Sequence, residues 1–270
     1  MAHDYGLFIG GEERPARSGA VTGVRSPATG GVIGHVAEAG EGDVADAVTA
    51  AVSAARGWAA TARSQRAERL CHLAELVARS AGELAAIGTS DAGRPVTAAK
   101  NVDLPLAGEV LTYFAGIAGK TEGRAAPVPG GFVGYSVREP FGVAAGILPW
   151  RCPLLQAVWK IAPALAAGNT VVVKPAEQAP LSPMALVRLA REAGIPPGAV
   201  NAVPGQDAWR PGTPPGTLLR TGPRASRPGP RSLATVARSS WTWRVSSAMR
   251  RSASSAARAS AISRIRRISR

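Results

Sequence analysis

Two four-residue runs set chemically capable side chains at the ends of apolar segments. Leu148-Pro149-Trp150-Arg151 closes the run Phe141–Leu148, and Lys174-Pro175-Ala176-Glu177 follows Val171-Val172-Val173. The second run offers an ammonium donor and a carboxylate acceptor three residues apart, and the first an indole and a guanidinium. Neither lies in a GxGxxG or Walker A loop, so the usual phosphate cradle is not visible. The remaining candidates are weaker. Cys71 and Cys152 are too few for a disulfide framework, and no Cys/His grouping among His3, His35 and His72 has metal-ligand spacing.

The elements that must position these runs are set by periodicity. Phe132–Arg138 and Phe141–Leu148 are β-rich, the second nearly all apolar, as a strand covered on both faces requires. Pro153 opens a helix where its missing N–H costs nothing, and Gly168 comes after it at the stop position. Thr170–Lys174 is a buried strand with a polar end, Ser182-Pro183 starts a helix that Gly194 ends, and Ala199–Val203 is a third strand. Strand, helix, strand, helix, strand at this spacing predicts a right-handed parallel βαβαβ unit, half of a doubly wound sheet. Ligands of such sheets sit beyond the carboxyl ends of the strands, which brings the two runs side by side in one crevice.

Upstream, Asp43–Gly119 reads as a helical layer. Asp43 is expected to cap a helix through Ala60, and Ser64 to precede another in which Leu70, Leu73 and Val77 share a face while Arg66, Arg69 and Glu75 point elsewhere. Gly82 and Gly93 punctuate the next stretch, and Val102–Ile117 is amphipathic despite Pro105. Gly6–Gly11 and Val32–Ala37 read as short strands and turns. The fold class is therefore α/β, a partial doubly wound sheet with an N-terminal helical layer. A half-sheet of this kind is expected to leave an edge strand unpaired and its apolar faces thinly covered.

Charge divides the chain. Of 270 residues, 46% are hydrophobic, enough to bury a large core, and the net charge is +14. Residues 206–270 hold 14 of the 32 Lys+Arg and only Asp207 of the 18 acids, whereas residues 1–205 are nearly neutral. No stretch approaches the ~18 apolar residues of a membrane span, and Met1–Arg17 lacks the apolar centre of a signal peptide, so a cytoplasmic chain without a membrane partner is expected.

The motifs carry a resemblance. Glu139-Pro-Phe-Gly-Val143, Ile147-Leu-Pro-Trp150, the segment Trp159–Asn169, Val173-Lys-Pro-Ala-Glu-Gln178, Glu192–Gly198 and Val203-Pro-Gly205 resemble, in order and spacing, the aldehyde dehydrogenase superfamily. Phe8-Ile-Gly-Gly11, Ser26–Gly30 and Asp91-Ala-Gly-Arg-Pro95 extend the likeness over residues 5–205. The resemblance implies NAD(P)-dependent oxidation of an aldehyde to a carboxylic acid, on a fold with a cofactor domain, a catalytic domain and an oligomerisation hairpin. Lys174 and Glu177 match the positions that hold the adenosine ribose. A carboxylate there accepts from both hydroxyls and repels a 2′-phosphate, favouring NAD over NADP. Ile147, Leu148 and Pro149 match cofactor contacts, and Trp150, besides its place beside the cofactor, matches with Trp159 the aldehyde tunnel; each of these also suits plain packing.

Departures from the family pattern bear on activity. Arg151 stands where the family has an asparagine whose amide helps hold the oxyanion. No Phe-Thr-Gly-Ser turn and no Glu-Leu-Gly-Gly base segment occurs, and neither cysteine matches the nucleophile; both read as small buried hydrophobes. After Gly205 the pattern gives way to Arg, Ser, Pro, Gly and Ala, a composition expected to be disordered and suggestive of a frameshift in a GC-rich gene. The 1–205 portion is thus expected to be a truncated cofactor-binding part, inactive alone and of doubtful family-like oligomerisation. The alternatives are a non-catalytic nucleotide-binding fragment, or a nucleic-acid binder using its 14 tail arginines with Trp209, Trp241 and Trp243 as stacking surfaces. In the first reading, tail binding to nucleic acid is nonspecific. A basic amphipathic helix at Ile262–Arg270 on a membrane surface is a further, weaker option.

Overall fold

The computed structural model describes residues 3–128, 132–205, 218–221, 234–235 and 242–244. The rest of 206–270, on which the expectation of disorder falls, lies outside the described residues. The chain divides into two units, Met1–Lys120 with Pro140–Ala237, and Thr121–Glu139 with Arg238–Arg270.

The first unit begins with β1 (His3–Tyr5), β2 (Leu7–Ile9), β3 (Glu12–Arg14), β4 (Val21–Arg25) and β5 (Val32–Ala37). Helices α1 (Glu41–Ala60), α2 (Arg63–Arg79), α3 (Ala81–Ala92) and α4 (Val96–Ala98) come next, and a π-helical turn, Ala99–Asp103, leads into α5 (Leu104–Ala118). The second unit holds the hairpin β6 (Ala125–Val128) and β7 (Phe132–Val137). The first resumes with β8 (Val143–Ile147), α6 (Pro153–Ala166), β9 (Thr170–Lys174), α7 (Leu181–Glu192), β10 (Val200–Ala202), β11 (Leu218–Thr221) and β12 (Ala234–Thr235). Last comes β13 (Thr242–Arg244), which pairs with β7 in the second unit.

The expected βαβαβ unit is present: β8, β9 and β10 are parallel neighbours, with Val143↔Thr170 through Ile147↔Lys174 and Val200↔Val171 through Ala202↔Val173 in register. Valine at three successive positions of β9 serves both faces, because neighbouring side chains point opposite ways. Val171 and Val173 join the core beneath α6 and α7, and Val172 joins a second core with Ala47 and Ala51 of α1. Small side chains on α1 let it lie close to the sheet, near enough for Thr170 Oγ1 to donate to Ala51 O at 2.9 Å.

The expectation of an unpaired edge and thin cover is corrected on both counts. The seven-stranded order is β12-β11-β8-β9-β10-β2-β3, so β10 gains an antiparallel neighbour in β2 through Ala202↔Phe8, and β8 one in β11. The β2–β3 turn uses Gly10 and Gly11, both at positive φ, and Gly10 N–H donates to Asn201 Oδ1 at 2.9 Å, tying the hairpin to β10. A separate sheet, β1-β5-β4, precedes α1.

Two cap assignments also change. Gly40, not Asp43, is the N-cap of α1; Asp43 lies in the first turn and accepts back from Gly40 N–H at 3.0 Å and from Arg17 N–H at 3.1 Å. Helix α2 starts at Arg63, ahead of Ser64, and Arg66 is buried rather than outward. Its guanidinium donates to Thr61 O at 2.6 Å and to Ala59 O and Ala166 O at 3.4 Å, carbonyls at the ends of α1 and α6 where a cation suits both helix dipoles. Gly82 falls inside α3, while Gly93 ends it in the left-handed conformation.

Candidate functional site

Strands β8 and β9 end together. Ile147 pairs with Lys174, and Leu148 N–H donates to Lys174 O at 2.9 Å, so the two connections leave the sheet side by side, as the topology predicts. Ile147 and Leu148 are buried and form the apolar floor of this end.

Lys174 is only 6% exposed, an unusual state for an ammonium, and its Nζ is ion-paired to Glu177 Oε1. Glu177, about a third exposed at 34%, sits in a turn closed by Ala179 N–H donating to Ala176 O at 3.2 Å. The pair therefore places one cationic donor and one anionic acceptor beside the apolar strand ends at Ile147 and Leu148. That donor set suits vicinal hydroxyls, which donate to the carboxylate and accept from the ammonium.

The β8–α6 connection is different. Pro149 is half-buried, Trp150 is 58% exposed and Arg151 is exposed; Trp159, in the second turn of α6, is 44% exposed. Neither tryptophan is core, so the packing role that their type equally suggested does not apply. Cys152 is the only non-glycine described residue at positive φ, at 50°, and serves as N-cap of α6. Both cysteines are half-buried against the main core.

A buried polar group lies beside this region, at a position that falls in the family-like motif Asp91–Pro95. Asp91, 1% exposed, lies in the last turn of α3, and its Oδ2 accepts Ser182 N–H at 3.1 Å in the first turn of α7. Burial pushes its pKa up to about 7, against the lowering effect of hydrogen bonds from the start of α7. Asp91 Oδ1, Ser182 Oγ and Thr89 Oγ1 have no hydrogen-bond partner among the described residues. Ser182 also lines a cavity of about 30 Å³ with Gly88, Arg94, Asp103, Cys152 and Pro153. Across it Arg94 grips Asp103 with two hydrogen bonds, of 2.7 and 2.9 Å. The available sequence signal was an acid in a helix's last turn, which the helix dipole disfavours unless another partner compensates.

Comparison with known proteins gives one family throughout. The model of the aldehyde dehydrogenase family matches residues 15–209. The mitochondrial aldehyde dehydrogenase of Leishmania tarentolae is 43% identical over 199 residues, covering 74% of this chain and 40% of its own length. Retinal dehydrogenase 2 of Gallus gallus is 44% identical over 202 residues, with 74% and 39% covered. Among solved structures, PnpE in complex with nicotinamide adenine dinucleotide superposes with a TM-score of 0.74 at 40% identity, covering 75% of this chain and 42% of that one. The NAD+ complex of an aldehyde dehydrogenase from Bacillus cereus does so at 0.74 and 39%, with the same coverage. The chain spans about two fifths of the length of these relatives.

Proposed function

The chain belongs to the aldehyde dehydrogenase family, and from that premise we propose that residues 5–205 form a nucleotide-binding part whose crevice takes the adenosine ribose of NAD. The carrying observation is the buried Lys174 paired with Glu177 at the carboxyl end of β9, directly beside Leu148. Glu177 receives the ribose hydroxyls, Lys174 holds the carboxylate and donates to the same oxygens, and Ile147, Leu148 and Pro149 exclude water from that side. A 2′-phosphate would meet the Glu177 carboxylate, so NAD is preferred over NADP.

The reaction the scaffold serves is oxidation of an aldehyde to a carboxylic acid, for which NAD supplies the hydride acceptor. This chain contributes the nucleotide grip and, with Trp150 and Trp159, apolar surface toward the aldehyde. It does not contribute a matching nucleophilic cysteine or base segment, so the purified 1–270 chain is expected to show no turnover. Arg151 replaces an amide that would donate to the oxyanion; in a full-length relative carrying this arginine, restoring asparagine should raise turnover ~10²–10³-fold.

Calorimetric titration tests the reading. NAD should bind the full chain, NADP more weakly, and Glu177→Ala should lose the discrimination; equal affinities for both dinucleotides would overturn the assignment. The net charge of +13 in 206–270 favours a second reading, polyanion binding by the tail. RNA titration at two salt concentrations separates it, since phosphate neutralisation is steeply salt-dependent. Sequencing the gene around codon 205 decides whether 206–270 is read out of frame: family-like text in another frame is the expected result.

A further inference from the structure

Helix α7 begins where the nucleotide-gripping connection ends, and its first N–H groups have no partners within the helix. Its N-cap is Pro180, which makes no side-chain cap hydrogen bond. The missing acceptor comes from elsewhere: Asp91, at the end of α3, receives Ser182 N–H from 91 residues away. The connection between β9 and α7 is thus held at both ends. Upstream, Lys174 O accepts Leu148 N–H; within it, Ala179 N–H closes the turn on Ala176 O; downstream stands Asp91.

We propose that Asp91 is a positioning residue for the Lys174–Glu177 grip, fixing from α3 the point at which the gripping turn becomes helix. The inference rests on the nucleotide reading of that crevice and adds to it a group that touches no ligand. Glu177 lies five residues before Ser182, so a shift of α7's first turn reaches the carboxylate through a short, partly buried segment.

The surroundings of Asp91 give this anchor a proton dependence. Among the described residues no cation is ion-paired to it. The titratable and charged groups around it are Tyr5 of β1, whose pKa burial raises, Arg188 of α7 lowers and neighbouring acids including Glu83 and Asp91 raise further, and, lining the Ser182 cavity, the mutually paired Arg94 and Asp103 and the Cys152 thiol. A neutral carboxyl still accepts Ser182 N–H and gains a proton to donate beside the unpartnered Ser182 hydroxyl. The hydrogen bonds from the start of α7 favour the ionised form, but the cost of burying the charge outweighs them, so ionisation loosens the packing of α3 on α7 as pH rises toward about 7.

The test uses the full chain, with NAD titrations and amide exchange corrected for intrinsic rates. Asp91→Ala should weaken NAD binding about tenfold, the size of a lost helix cap. Asp91→Asn, which accepts and donates but does not titrate, should bind as the parent does near pH 6. It should also abolish the parent's loss of affinity, about threefold, between about pH 6 and about pH 8. Val77→Ala, a core truncation in α2, should lower thermal stability and leave NAD affinity unchanged. Equal NAD affinity in Asp91→Ala and parent, or an equal loss in Val77→Ala, overturns the proposal. If the parent binds no NAD, the nucleotide reading fails, and exchange decides the anchor separately. Asp91→Ala should then lose protection at Leu181–Met184 but not at Val200–Ala202; a uniform loss would overturn it.

Discussion

Two connections leave the same end of the sheet and are built on opposite terms. The one after β9 is partly buried, turned, ion-paired and anchored at its far end by Asp91. The one after β8 exposes Trp150 and Arg151 and ends on Cys152 in a left-handed conformation. Topology alone treats them as equivalent rims of a crevice. The difference teaches that one connection is preorganised by this chain's own contacts, whereas the other leaves apolar and cationic surface exposed.

The contrast can be broken or sharpened by measurement. The largest effect belongs to the anchored connection. The folded-state pKa of Asp91 lies above its unfolded value, so the stability it lends is complete at low pH and declines as the unfolded chain ionises first, from about pH 4 until about pH 7. At ~1.4 kcal/mol per unit this is ~4 kcal/mol at most. Denaturant unfolding across that range should show the slope in the parent and little of it in Asp91→Asn; parallel curves would erase the anchor. Next, Glu177→Ala strands the Lys174 ammonium in a buried place and should cost ~2 kcal/mol in urea unfolding. The double change Lys174→Met with Glu177→Leu should recover most of it. On the other connection the effects shrink. Cys152→Gly removes a side chain from a left-handed position and should raise thermal stability by ~0.5 kcal/mol. Arg151→Ala, on the exposed rim, should change stability by less than ~0.5 kcal/mol. A large loss there would mean that the β8 rim is anchored too.

Much of this layout was legible in the sequence because it is local. Thr170–Lys174 and Val32–Ala37 fold with the bounds their residue types suggested, and Pro153, Gly168 and Gly194 punctuate helices where expected. What escaped is non-local. Nothing near Arg66 announces that its acceptors include Ala166, a hundred residues away, so helical periodicity alone turns it outward. Likewise nothing local shows that Ala47 and Ala51 of α1 pack against Val172 of β9. The site divides in the same way. Lys174 and Glu177 stand three apart in one motif, so their pairing is legible locally, while Asp91 meets its partner only through the packing of α3 on α7. The exposure of Trp150 and Trp159 depends on what packs near them, which residue type does not encode.

The pairing of Phe8 with Ala202 has a consequence in time. Synthesis runs from β2 toward β10, so β2 leaves the ribosome nearly two hundred residues ahead of this sheet partner. Until then the β10-facing edge of β2 has no strand to pair with, an open edge of the kind that invites pairing with other chains. Final closure of the sheet is therefore a late event in synthesis, and a pause just before codon 200 would lengthen the interval of greatest exposure.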